Sequence, residues 1–467
     1  MVVGDIDVGT EVLIIGAGPA GYTAAIRLGQ MGVDVSLAGP EIGGTCLHHG
    51  CIPVKSLGHA YDLAAAIKKA GAMGIKADNV AVDLGLLRSG TDLVIHRLES
   101  GIRSMLKANG VQVFEGTCSF TSSTSANIRT HAGLQRITFK KAVIATGMHY
   151  SVPEGISPDG KRIVFPYTIG RMDKVPDNVV VLGGGVAGAT MAYLLNTMGS
   201  KVSMAYKRPD LMSALDDDML QTAMKKMASN GIQAFPGASW TVSADRSTVT
   251  IRSGSTTQTL NPDLIMICSP TKPTIKGLSL DRTKVKLNTK GFVAVDDNYC
   301  TSDTSIYAIG DVLGGRRNAC VAFREGLNIA NILSGKPGLP DFQAMPLTID
   351  SGLKITCAGI SEKAAKKAGI EVTVSHSPYS TNGGAATMGE QEGFVKVIAE
   401  KSTHRILGVQ IAGLDASNII GEAMLAIETG ARLEDVALTL HPHPEIIEVF
   451  SDACARGAGL STNVGKK

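Results

Sequence analysis

The segment EVLIIGAGPAGYTAAIRLGQMGVDVSLAG constrains the fold more than any other part of the chain, because it fixes strand, turn, helix and strand in one pass. An apolar run leads into a G-x-G-x-x-G turn at Gly16, Gly18 and Gly21, and an Ala-rich helical stretch follows. This pattern opens a doubly wound dinucleotide-binding fold. The first glycine permits a tight turn, the second lets a pyrophosphate approach the backbone, and the third lets the helix pack on the strand. The helix N-terminus then faces the phosphates. A second copy, NVVVLGGGVAGATMAYLLNTMGSKVSMAY, repeats the plan with Gly183, Gly185 and Gly188. Two copies predict two bound dinucleotides.

The remaining elements fit around these copies. ITFKKAVIATGMHY reads as a strand ending in Ala145, Thr146 and Gly147, and the loop SVPEGISPDG marks a domain boundary. DLIMICSPTKP is a strand with a Pro-rich exit, and TSIYAIGDVLGG is a buried strand ending in Gly310 and Asp311. From about Gln343 come alternating segments, GFVKVIAE and RILGVQIAG, and then helical runs. The predicted fold class is α/β: two doubly wound dinucleotide-binding domains and a C-terminal α+β domain. The expected division is residues 1–150 with 271–342, residues 151–270, and residues 343–467.

At 467 residues and 44% hydrophobic content the chain buries several cores. Its net charge of +3 comes without a Lys/Arg block, so nothing supports nucleic-acid binding. No apolar stretch reaches the roughly 18 residues of a membrane span. The N-terminus carries no basic leader with an apolar core, so the mature chain is expected to start here. Eight cysteines scattered through a long chain point to a reducing compartment, the cytoplasm.

One cysteine pair stands apart. GGTCLHHGCIPVK places Cys46 and Cys51 five positions apart, about one turn if Cys46 opens a helix. A disulfide there closes a tiny loop and adds little stability, which favours a redox role. A zinc site would need two further ligands, and none stands nearby in sequence.

With these residues in view, the chain resembles the pyridine nucleotide-disulfide oxidoreductases, and within them the dihydrolipoyl dehydrogenases. The likeness lies in GGTCLHHGCIPVK, Ala145-Thr146-Gly147, YAIGDV, PLTIDSGLKITCAGISEKAAKKAG and HPHPEIIE, and so runs the length of the chain. It implies FAD at the first glycine unit, NAD or NADP at the second, and a C-terminal domain that forms a homodimer with shared active sites. It implies that Cys51 sits against the flavin as a thiolate while Cys46 exchanges with substrate. His443 of one chain then serves as the base in the other chain's site, oriented by Glu448. FAD contacts are expected at Glu41, Gly44, Thr45, Lys55, Thr117, Cys118, Thr146, Gly147, Gly310, Asp311, Ala319 and Cys320. Nucleotide contacts are expected at Tyr206, Lys207, Arg208 and Ser269. Cys118, Cys268, Cys300, Cys320, Cys357 and Cys454 are expected to be small buried or neutral residues, and His441 a residue held in its Pro-rich turn.

Three acids of the family pattern are missing. Gly39 stands where an acid would bind the adenosine ribose of FAD, with Glu41 the nearest substitute. Thr190 replaces a glutamate that pairs with the flavin-side lysine, so Lys55 loses its expected partner. Tyr206 stands where an acid would bind the ribose of NAD, and Lys207 and Arg208 follow it, which leaves two cations to accept a 2′-phosphate. The family's G-R-x-P-N string is rewritten as SPTKP. His48 takes the place of an asparagine beside the redox pair, either as a second base or as a solvated turn residue.

The activity expected from the resemblance is oxidation of dihydrolipoyl groups on a carrier protein of a 2-oxoacid dehydrogenase-type complex. Its rivals are an NADPH-dependent reductase of a glutathione-like disulfide and a non-catalytic FAD protein of a multienzyme complex.

Overall fold

The computed structural model describes residues 8–208, 212, 215–315 and 318–462. The chain divides into two compact units, Met1–Pro153 with Phe165–Lys174 and Ser269–Pro340, and Glu154–Val164 with Val175–Cys268 and Asp341–Lys467.

In the first unit, strand Val8–Ile15 pairs in parallel with Val35–Gly39 on one side and Gly133–Ile144 on the other. Strand Ile306–Ala308 extends the layer beyond Gly133–Ile144, and Gln112–Ser122 extends it beyond Val35–Gly39. Gln112–Ser122 then turns into an antiparallel meander through Ser125–Thr130 back to Gly133–Ile144. The burial pattern explains the order, because Val12, Leu13, Ile14 and Ile15 are all buried, as a central strand covered on both faces requires. Helix Pro19–Gln30 packs its Ala20, Ala24, Ala25 and Leu28 face into one of these layers, beside Ile329 and Ala330 of helix Ala319–Leu333.

The second unit holds another parallel sheet, in the order Gln233–Phe235, Lys201–Ala205, Asn178–Leu182, Leu264–Ile267, Ile163–Val164. Its C-terminal part is an antiparallel five-stranded sheet, in the order Leu347–Asp350, Lys354–Gly359, Ile406–Ala412, Phe394–Glu400, Val372–Pro378. Helices Ala416–Thr429 and Glu448–Gly457 seal this sheet with Ile419, Ile420, Ala423, Val449 and Phe450. Each of the Ile, Val and Phe side chains among them contributes about 1.5–3 kcal/mol on burial.

The alternating segments GFVKVIAE and RILGVQIAG supply two neighbouring strands of this sheet. Phe394–Glu400 and Ile406–Ala412 are buried almost throughout, and even Lys396 is 2% exposed. Lys396 is buried because it is paired. Its Nζ lies 3.3 Å from Asp216, 3.1 Å from Asp218 and 2.7 Å from Glu362. Asp216 in turn accepts from the Gln410 side chain at 2.8 Å and from the backbone N–H groups of Glu362 and Lys363.

Candidate active site and cofactor cradles

The first cradle is built by the glycine turn after Val8–Ile15. Gly16 has φ +116°, and a Cβ there would meet the Ala145 carbonyl oxygen at 2.2 Å. A Cβ on Gly21 would meet the Gly16 carbonyl oxygen at 1.8 Å, so helix and strand touch at backbone distance. Gly18 differs, with nothing within 4 Å of its would-be Cβ, and it begins a helix that no side chain caps. Open space before uncapped helical N–H groups is what a pyrophosphate requires. The buried Thr146 hydroxyl has no hydrogen-bond partner among the described residues, and Gly147 after it adopts φ +70° with open space beside it. Gly44, at φ +59°, lets its loop approach the Gly18 Cα, which a Cβ would meet at 2.8 Å. These residues fit FAD.

The second cradle repeats the first. A Cβ on Gly183 would meet the Cys268 carbonyl oxygen at 2.2 Å and one on Gly188 the Gly183 carbonyl oxygen at 2.0 Å, while Gly185 faces open space at an uncapped helix start.

The redox pair follows the first cradle, with a different local geometry from the one expected. Cys46 lies within the short helix Gly44–His48, and it is Cys51 that opens the long helix Cys51–Lys69, with the break at His49 and Gly50. The pair is present as two thiols, hydrogen-bonded side chain to side chain. The bond from Cys46 draws the Cys51 thiol down to about 7, and Lys55 adds a favourable charge. The same bond drives the Cys46 thiol far up, with burial adding to it. Cys51 is therefore the readier thiolate of the two.

Two neighbours escaped the sequence reading. Tyr22 stands close enough to both sulfurs for their charge to help raise its phenol to about 12, chiefly through burial. Only its place one residue past the third glycine signals it. Glu325 lies beneath the Gly310–Asp311 turn and accepts from the Gly310 N–H at 2.5 Å, and burial lifts its carboxyl to about 7. An acid inside the apolar helical run ACVAFREGLNIANIL is the signal that would have found it. Asp311 lies within electrostatic reach of both Glu325 and Cys51.

The structure also explains departures from the family pattern. An acid at Gly39 does not fit this backbone, since a Cβ there would meet the Ala17 Cβ at 2.7 Å. Glu41 is engaged with His49 at 3.0 Å and lies 3.8 Å from His48. His48 is no solvated turn residue, because its side chain is 11% exposed and its Nε2 contacts the Ile42 carbonyl at 2.8 Å. Among the expected flavin contacts, Thr45, Lys55 and Thr117 are exposed, Cys118 is buried and Ala319 is half-buried. The Ser269 hydroxyl donates to the Ser151 carbonyl. Cys118, Cys268, Cys357 and Cys454 are buried as expected, and Cys300 is half-buried. Cys320 is the exception, exposed and within electrostatic reach of Cys46.

In the second unit, His443 Nδ1 lies 3.0 and 3.2 Å from the two Glu448 carboxylate oxygens. Glu448 also accepts from the Glu445 N–H at 3.0 Å, which fixes the carboxylate at the start of its helix. With Nδ1–H donating to Glu448, Nε2 is left as the acceptor, and the ring is 78% exposed. His441 is held differently, 8% exposed between Glu422 and the Thr439 carbonyl. Among the described residues no helix is long and apolar enough to cross a membrane.

Comparison with known proteins agrees with this geometry. Residues 10–326 match the family model for pyridine nucleotide-disulphide oxidoreductases, and residues 345–454 match that family's dimerisation domain. Dihydrolipoyl dehydrogenase 2 of Haloarcula marismortui is 34% identical, covering 98% of this chain and 99% of its own. Dihydrolipoyl dehydrogenase of Geobacillus stearothermophilus is 33% identical, covering 99% of each chain. The crystal structure of LpdA from Mycobacterium tuberculosis shares the fold with a TM-score of 0.88 at 23% identity, over 96% of this chain and 99% of that one. The chain belongs to the pyridine nucleotide-disulphide oxidoreductase family and is a flavin-dependent disulfide oxidoreductase of the dihydrolipoyl dehydrogenase type, with FAD and NAD(P) as its cofactors.

Proposed function

We propose that this protein reoxidises dihydrolipoyl groups, with Cys46 and Cys51 as the redox pair and His443 with Glu448 of the partner subunit as the proton-handling pair. The observation that carries the reading is the side-chain contact between Cys46 and Cys51 directly after the first glycine cradle, with Lys55 and Asp311 within electrostatic reach of Cys51. In the oxidised enzyme the pair forms a disulfide. A substrate thiol near its ordinary pKa of about 8.5 is mostly protonated at neutral pH and needs a base to attack. His443 Nε2 accepts that proton while Glu448 holds the opposite ring nitrogen. The substrate thiolate attacks the Cys46 sulfur, the bond between Cys46 and Cys51 breaks, and Cys51 leaves as the thiolate its environment favours. The second substrate thiol then attacks the substrate sulfur of the mixed disulfide and Cys46 leaves, taking a proton. Lys55 and Asp311 would hold the flavin, which, when bound, accepts the electron pair from the dithiol and passes it to the nicotinamide nucleotide.

Similarity over the full chain to dihydrolipoyl dehydrogenases supports the substrate and a lipoylated carrier protein as partner, and the scattered cysteines support a cytoplasmic setting. The test is steady-state turnover of dihydrolipoamide, glutathione disulfide and other low-molecular-weight disulfides by the holoenzyme, each with both nucleotides. Dihydrolipoamide is expected to have the highest kcat/KM. A higher value for glutathione disulfide would overturn the substrate assignment.

A further inference from the structure

The second glycine unit carries one departure from its own plan that the thiol chemistry does not use. An acid at the end of its second strand would hydrogen-bond the ribose of NAD and repel a 2′-phosphate. That strand is Lys201–Ala205, and the next residue is Tyr206, 2% exposed. Its backbone is held on both sides, the N–H donating to the Phe235 carbonyl at 3.2 Å and the carbonyl accepting from the Ala238 N–H at 2.8 Å. Its ring lies against the glycine turn, where a Cβ on Gly184 would meet Tyr206 Cβ and Cγ at 2.7 Å. The phenol oxygen is buried without a hydrogen-bond partner among the described residues. The floor of this site is thus uncharged.

The two cations that follow are not equivalent. Lys207 Nζ stands 5.5 Å from the centroid of the Trp240 ring, a cation–π contact that holds its charge on the neighbouring hairpin strand Ser239–Val242. Arg208 is exposed, and no carboxylate pairs with it among the described residues. A guanidinium matches a phosphate with two parallel N–H bonds, which an ammonium does not.

We propose that Arg208, and not Lys207, recognises a 2′-phosphate on the adenosine ribose, and that the uncharged Tyr206 floor admits it, so that this protein prefers NADP(H) to NAD(H). The proposal rests on reading the second glycine unit as the nicotinamide nucleotide site.

The test uses the FAD holoenzyme and two fragments, 2′,5′-ADP and 5′-AMP, with affinities measured by calorimetry at fixed ionic strength. The wild-type protein is expected to bind 2′,5′-ADP at least about tenfold more tightly, the size of a charge-assisted contact. Arg208→Ala should abolish that ratio, and Lys207→Ala should change it by less than about threefold. Tyr206→Glu should shift the ratio toward 5′-AMP; should that buried substitution prevent folding, Arg208→Glu at an exposed position carries the same test. Equal affinities in the wild type, or an equal loss in both cation variants, would overturn the proposal and leave the nucleotide site standing. Binding of neither fragment by an enzyme that still turns over would overturn the site reading, and the proposal with it.

Discussion

Cys46 and Cys51 show how two identical side chains acquire different chemistry. The hydrogen bond from Cys46 lowers the Cys51 thiol to about 7, so the Cys51 thiolate gains population as pH rises through neutrality and loses it below. Replacing either by serine is expected to abolish dithiol turnover while FAD stays bound, because the glycine turn and Asp311 are untouched. His443→Gln should lower kcat by roughly two to four orders of magnitude. Loss below about tenfold would remove His443 from the role of base. The sequence was most legible at this scale wherever a residue type and its spacing state the chemistry, as in the cysteine pair and HPHPE. It was least legible where burial decides, as for Glu325, whose helix shows one acid among apolar residues, and for His48, whose packed ring no local pattern predicts.

At the scale of elements, both glycine turns were readable because close backbone contact forces glycine at fixed spacing, and Gly16 and Gly183 meet neighbouring carbonyls that way. Lys396 was not, because its partners Asp216 and Asp218 lie on another element far away in sequence. Here burial pushes the Asp218 carboxyl up, but bonds from His376 and Lys396 outweigh it and hold it below its ordinary 3.8. A depressed carboxylate stabilises the fold above its unfolded pKa and loses that contribution as pH falls through the folded value. This cluster therefore supports the second unit at neutral pH and fails only in strong acid. Asp216 and Glu362 share Lys396 with Asp218, and His376 Nε2 lies 3.1 Å from the Asp218 carboxylate. Lys396→Met is expected to cost about 3 kcal/mol by leaving Asp216 buried without its cation. Calorimetry at pH 7 should show a melting temperature lower by several degrees; an unchanged value would remove the cluster from the stability of this unit.

For the whole molecule, the proposed function requires the thiol pair of one subunit to meet His443 and Glu448 of its partner, and residues 345–454 match the family's dimerisation domain. Residue spacing alone does not reveal such an arrangement, since nearly the full chain separates Cys46 from His443 and a subunit boundary carries no local signal, so it enters only through the family resemblance. The claim has a direct measurement: Cys46→Ser and His443→Gln subunits, each inactive as homodimers, are mixed, exchanged and assayed with dihydrolipoamide. A heterodimer contains one site with both residues intact, so random exchange should restore about a quarter of wild-type activity, half the dimers carrying one working site of two. No recovery after subunit exchange has been verified would contradict the shared site.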